Sequence, residues 1–183
     1  TLHLDVTLNP RFTLKLGASV SSSMSNQIYI ASHFRSLRNH SKELVLDGVY
    51  SRSIEKGEEF KNKTGALRAF SSFDELLKSD TQLVYVASPN SCHYEQSKAL
   101  LESGKHVICE KPITVTAKEF KELCHLANEK NLVYFEAIMY MHSPARRVLK
   151  EIVSTLGNIR SAGFDFSQLS SKYEALKKGE LPN

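Results

Sequence analysis

Short β-branched and aromatic runs alternate with longer stretches of helical period along most of the chain, and this rhythm limits the fold more than any other feature. Residues 12–17, 44–51, 66–70, 82–87, 105–110 and 132–136 read as strands. Between and after them, residues 25–37, 54–61, 73–78, 93–103, 117–130 and 144–156 carry helical spacing. The run Gln82-Leu83-Val84-Tyr85-Val86-Ala87 has so few polar groups that both of its faces belong in a core. Start and stop signals fall where this reading needs them. Ser72 with Glu75, and Thr116 with Glu119, have capping-box spacing, in which a hydroxyl and a carboxylate satisfy backbone amides at a helix start. Ser143 followed by Pro144 opens the last helix, while Gly104 and Asn131 tolerate the left-handed conformation that ends one.

Strands joined by helices of this length run parallel, which makes the fold α/β: an open, doubly wound parallel sheet of the Rossmann-like, dinucleotide-binding type over residues 12–156. Such a sheet holds its ligand beyond the carboxyl ends of the strands. The residues to inspect are therefore those after Gly17, Tyr50, Ala87, Cys109 and Phe135.

Composition narrows the class further. A chain of 183 residues, 41% of them apolar, fills one ordinary domain and begins a second. The net charge of +4 is spread along the chain without a run of five or more like charges, which argues against a nucleic-acid partner. No stretch approaches the roughly 20 apolar residues of a membrane-spanning helix. Residues 1–16 hold Asp5, Asn9 and Pro10 rather than the apolar core of a secretory signal, so a cytoplasmic location is expected. Cys92, Cys109 and Cys124 form an odd set without a Cys-x-x-Cys pair; they read as reduced thiols, and no metal site is expected.

At the strand ends, Glu110-Lys111-Pro112 sets an acid, an ammonium and a rigid imino acid where the sheet opens. A lysine there is suited to donate to a substrate oxygen during hydride transfer. The alternative is a surface turn with an incidental ion pair. Ser88-Pro89-Asn90, with Cys92 and His93 beyond, offers hydroxyl and amide groups to a ribose or phosphate; the alternative is a plain strand-to-helix turn capped by Asn90 or Ser91. Tyr50-Ser51-Arg52 lies where this fold recognises the adenosine ribose, and Arg52 favours NADP over NAD unless it is only a solvated arginine.

Three segments together resemble the glucose-fructose oxidoreductase, inositol dehydrogenase and MocA (Gfo/Idh/MocA) family of nicotinamide-dependent oxidoreductases. They are Val49-Tyr50-Ser51-Arg52, the run from Val84 through Ser88-Pro89-Asn90 to His93, and Gly104-Lys105-His106-Val107 leading to Glu110-Lys111-Pro112. The resemblance extends over residues 14–183. It implies a cofactor, NADP or NAD, bound by Ser22, Met24, Ser51, Arg52, Ser88, Pro89, Asn90, His93, Glu110 and Lys111, with Lys111 also the catalytic group. It further implies a sugar, cyclitol or similar small-molecule substrate, with Tyr140 and His142 at the edge of its site. Residues 157–183 then correspond to the truncated start of an α+β domain for substrate and oligomerisation, with residues 159–166 as its first strand, and residues 1–11 remain unassigned.

The first turn departs from the family pattern. Gly17 is followed by Ala18-Ser19-Val20-Ser21-Ser22-Ser23-Met24, where glycines are expected to let the backbone approach a pyrophosphate. Val20 falls where the first such glycine belongs, and a β-branched side chain resists positive φ. The rival reading is accordingly a non-catalytic binding or regulatory module that kept the sheet and lost the glycine turn and the catalytic domain.

Overall fold

The computed structural model describes residues 14–20, 44–138, 141, 143–165, 173 and 177–179, with the backbone alone for 14–20 and 44. The described residues fall into two units, divided between Ala137 and Ile138. The first contains a sheet of six parallel strands: β1 (Leu14–Val20), β2 (Leu44–Tyr50), β3 (Arg68–Phe70), β4 (Leu83–Ala87), β5 (His106–Cys109) and β6 (Tyr134–Glu136). Their order, β3-β2-β1-β4-β5-β6, turns outward in both directions from β1. This is the doubly wound order that the alternation predicts.

Each face of the sheet has its own core. Leu46, Val49, Phe60, Ala66, Tyr85 and Ala87 form one cluster; Phe70, Leu76, Val84, Val86, Leu100, Leu101, Val107, Cys109 and Leu123 lie in the other. Tyr85 and Ala87 on one side and Val84 and Val86 on the other follow from the two-residue period of β4, which is buried on both faces. In β2 the register slips. Leu16 pairs with Leu46 but Gly17 with Gly48, so Asp47 is the extra residue of a bulge. The bulge allows Leu46 and Val49, three residues apart, to join one cluster and turns the Asp47 carboxylate toward β3. Gly48 is needed beside it, since a Cβ there would lie 2.3 Å from the buried Phe70 ring.

The helices are α1 (Ile54–Thr64), α2 (Phe73–Lys78), α3 (His93–Glu102), α4 (Ala117–Glu129) and, in the second unit, α5 (Pro144–Thr155). α3 buries His93, Ser97, Leu100 and Leu101, one stripe at helical spacing. α4 opens with the complete capping box of Thr116 and Glu119. At α2 the expected box is modified. Ser72 accepts from the Glu75 amide, but the Glu75 carboxylate takes the Ser71 N–H at 2.7 Å instead of the Ser72 amide. Gly104 and Asn131 both have positive φ, 82° and 53°.

The expected helix over residues 25–37 lies outside the described residues. β1 corrects another expectation: Val20 is its last residue, paired with Ala87, rather than a turn residue under strain. The second unit corrects a third. Residues 159–165, expected to begin a strand, have no regular structure and pair with no described strand. A strand is held by its ladder and by an apolar face to lie on, and Phe164 is 89% exposed.

Candidate functional site

Parallel pairing brings the carboxyl ends of the strands to one edge. Ser19 is level with Tyr50, Val20 with Ala87, Val86 with Cys109, and Cys109 with Glu136. The strand order reverses between β1 and β4, which places the crevice of a doubly wound sheet there. The tips of β2, β4 and β5 stand beside it.

At the β4 tip Ser88 is buried, and its Oγ has no hydrogen-bond partner among the described residues. A buried hydroxyl left unmatched is unfavourable in a folded protein unless something completes it. Pro89 is half-buried and Asn90 exposed. The side-chain cap of the alternative reading is absent. The chain enters α3 through a 3₁₀ turn, Asn90–Cys92, in which the Cys92 amide donates to the Pro89 carbonyl at 2.8 Å, so neither Asn90 nor Ser91 is needed as a cap. His93 follows and is wholly buried, its Nε2 2.9 Å from the Ser88 carbonyl oxygen and its Nδ1 2.7 Å from that of Pro112.

The β5 tip is fastened on several sides. Tyr85 Oη donates to Glu110 Oε1 at 2.5 Å, and the Glu110 amide donates to the Val86 carbonyl at 2.9 Å. The Lys111–Pro112 peptide is cis. Beyond it the Ile113 amide donates to Glu136 Oε1 at 2.8 Å. Lys111 itself is exposed, and its ammonium meets no hydrogen-bonding or ionic partner among the described residues. The arrangement is a rigid loop carrying one uncommitted cation. Cys109, directly before it, is no nucleophile: burial pushes its thiol up to about 12.

At the β2 tip Ser51 is buried and Arg52 exposed. Ser22, Met24, Tyr140 and His142 lie outside the described residues. The structure thus brings Ser88, Pro89, Asn90, Glu110 and Lys111 to neighbouring tips, sets Ser51 and Arg52 at the tip of β2, and holds His93 beneath the β4 and β5 tips with both ring nitrogens engaged. Tyr85 and Glu136 were missed by the sequence reading. Their bonds span 25 and 23 residues, so only strand register relates them to the site: Tyr85 is level with Ile108, two residues before Glu110.

The strand order, the crevice and the polar tips define a Rossmann domain built to hold a dinucleotide. The chain belongs to the oxidoreductase family with an NAD-binding Rossmann fold, Gfo/Idh/MocA, whose model matches residues 27–138. That match begins beyond the turn without glycines. The chain is 37% identical over 143 residues to scyllo-inositol 2-dehydrogenase (NADP(+)) of Bacillus subtilis, covering 78% of this chain and 44% of the relative. It is 32% identical to trans-1,2-dihydrobenzene-1,2-diol dehydrogenase of Mus musculus, over 70% of this chain and 41% of that protein. Among solved structures, a 3-ketoreductase of Actinomadura kijaniata, in complex with NADP and TDP-benzene, superposes with a TM-score of 0.67 at 25% identity, covering 77% of this chain and 42% of the other. The chain spans under half the length of these relatives.

Proposed function

We propose that the chain is the cofactor-binding portion of an NADP- or NAD-dependent oxidoreductase acting between a hydroxyl and a carbonyl on a sugar, cyclitol or similar small molecule. The observation that carries the reading is the pairing of an unmatched buried hydroxyl, Ser88 Oγ, with an uncommitted ammonium, Lys111, on adjacent strand tips. The names of the relatives support the reaction class and NADP as the cofactor.

The polar groups present fit a dinucleotide. Ser88 Oγ offers both a donor and an acceptor to a ribose or amide group, and Asn90 adds a carboxamide. Ser51 and Arg52 suit the adenosine end, where an arginine favours a 2′-phosphate. When bound, the nicotinamide supplies or accepts hydride. Lys111 then serves as donor to the substrate oxygen and stabilises negative charge developing on it. Tyr85 fixes the Glu110 carboxylate, so the loop carrying Lys111 need not reorganise as that charge develops. Tyr140 and His142 are assigned to the substrate edge on the family resemblance.

No described helix is long and apolar enough to cross a membrane. The three free cysteines support a reducing compartment, the cytoplasm. Titration with NADPH and with NADH, followed by cofactor fluorescence, tests the proposal. Saturable binding is expected, tighter for NADPH; a folded chain that binds neither would remove the reading in favour of a non-catalytic module.

A further inference from the structure

The His93 side chain contacts both tips of the candidate site. It lies at the first turn of α3, wholly buried, with Nε2 2.9 Å from the carbonyl oxygen of Ser88 and Nδ1 2.7 Å from the carbonyl oxygen of Pro112. Those carbonyls belong to the loops after β4 and β5. One loop carries the unmatched Ser88 hydroxyl, the other the free ammonium of Lys111.

A single planar ring between two carbonyls fixes the separation of the loops in a way that apolar packing does not. Dispersion contacts vary weakly with lateral displacement, whereas an N–H···O bond is lost when the acceptor moves out of line. Both facing groups are carbonyl oxygens, so the neutral ring donates to one loop and lies in close contact with the other, while the imidazolium form donates to both. The other fastenings of the β5 loop tie Glu110 to strand β4, through Tyr85 Oη and the Val86 carbonyl, and Ile113 to Glu136 of β6; none of these bonds reaches the Ser88–Asn90 backbone.

We infer that His93 is a positioning residue: it sets the distance between the Ser88–Asn90 loop and the Lys111 loop and so shapes the nicotinamide end of the site without touching the ligand. This rests on the cofactor reading given above. If it holds, loss of the ring affects the end of the dinucleotide lying between those loops and leaves the adenosine end, near Ser51 and Arg52, as it was.

The test compares the full chain with His93→Leu and His93→Gln. Leucine keeps much of the volume and removes both polar contacts, while glutamine retains an amide that can donate to one of the two carbonyls. Each protein is titrated with NADPH and NADH, and with 2′,5′-ADP and ADP as fragments lacking the nicotinamide half. For His93→Leu, affinity for the whole cofactor is expected to weaken by about tenfold or more, with fragment affinity changed less than about twofold. His93→Gln is expected to recover part of the loss. Thermal unfolding identifies any variant that does not fold, and if leucine is not tolerated the same split in His93→Gln decides the matter. Equal losses for cofactor and fragment, or no loss for either, would overturn the positioning role while leaving the cofactor reading in place. Absence of binding by the unaltered chain would overturn the cofactor reading and this inference with it.

Discussion

Two lysines bracket β5, one before its first residue and one beyond its last, and they are held in opposite ways. Lys105 is buried, and its ammonium donates to the carbonyls of Ser79 and Thr81 at 2.8 and 3.0 Å. Burial pushes its pKa down, while the nearby Asp80 and Asp47 carboxylates oppose that shift. Around it most polar groups are matched to one another, although Arg68 Nε is buried without a hydrogen-bond partner among the described residues. Asp47, on its bulge, accepts from Arg68 at 2.7 Å and from Thr81 Oγ1 at 2.5 Å, and Arg68 also reaches Asp80. Lys111 is exposed, on the strand tip next to that of Ser88, and among the described residues neither its ammonium nor the Ser88 hydroxyl has a partner. The network at the amino end of the sheet is tied mostly within the protein, whereas the groups at the carboxyl end that we propose for the ligand are left open. The same residue type is thus bound within the protein at one end of β5 and left open at the other.

Substitutions should separate the two ends. Asp47→Ala is expected to have the largest effect, about 3 kcal/mol of unfolding free energy, because it leaves Arg68 and Thr81 without their buried acceptor. Urea unfolding measures it, and a loss below about 1 kcal/mol would show that the amino-end network is not structural. Lys105→Met should follow at about 2 kcal/mol, since two carbonyls lose their donor while the apolar stem is kept. Lys111→Met should change stability by less than about 0.5 kcal/mol in the same measurement. A Lys111→Met loss equal to that of Lys105→Met would erase the contrast.

Acid sharpens the comparison through His106, the first residue of β5. Burial lowers its pKa below the ordinary 6.5, and its Nδ1 accepts the Val133 amide at 3.0 Å, which requires an unprotonated nitrogen there. The folded state thus binds this proton less readily than the unfolded chain. Its contribution to stability is complete above about pH 6.5 and is lost as the pH falls toward the lower folded value. The melting temperature should drop in that window, with a smaller drop in His106→Gln, whose amide oxygen still accepts from Val133. Identical acid profiles for the two proteins would remove His106 as the cause.

Much of the frame was legible because it depends on local rules. The period of β4, the capping box at Thr116 and Glu119, and the left-handed ends at Gly104 and Asn131 are written in neighbouring residues. The Glu110-Lys111-Pro112 signal was legible for a similar reason: a strand reading puts those residues at a sheet opening. The alternative of a cap by Asn90 or Ser91 does not hold, because a 3₁₀ turn leads the chain into α3 without a side-chain cap. The strand that the resemblance implied at 159–166 is not formed over its described part, 159–165, where no described strand pairs with it.

The amino-acid order alone determined that strands and helices alternate, that the sheet is parallel, and which tips carry reactive groups, since these follow from side-chain period and backbone chemistry within a few residues. Only the tertiary structure decided that Asp47 stands on a bulge, that Tyr85 holds Glu110, that Glu136 holds Ile113, and that His93 spans the two loops. Each of these depends on strand register or on the approach of a helix to the sheet. Those distances are set by the packing of the two cores, to which residues far apart in the chain contribute together.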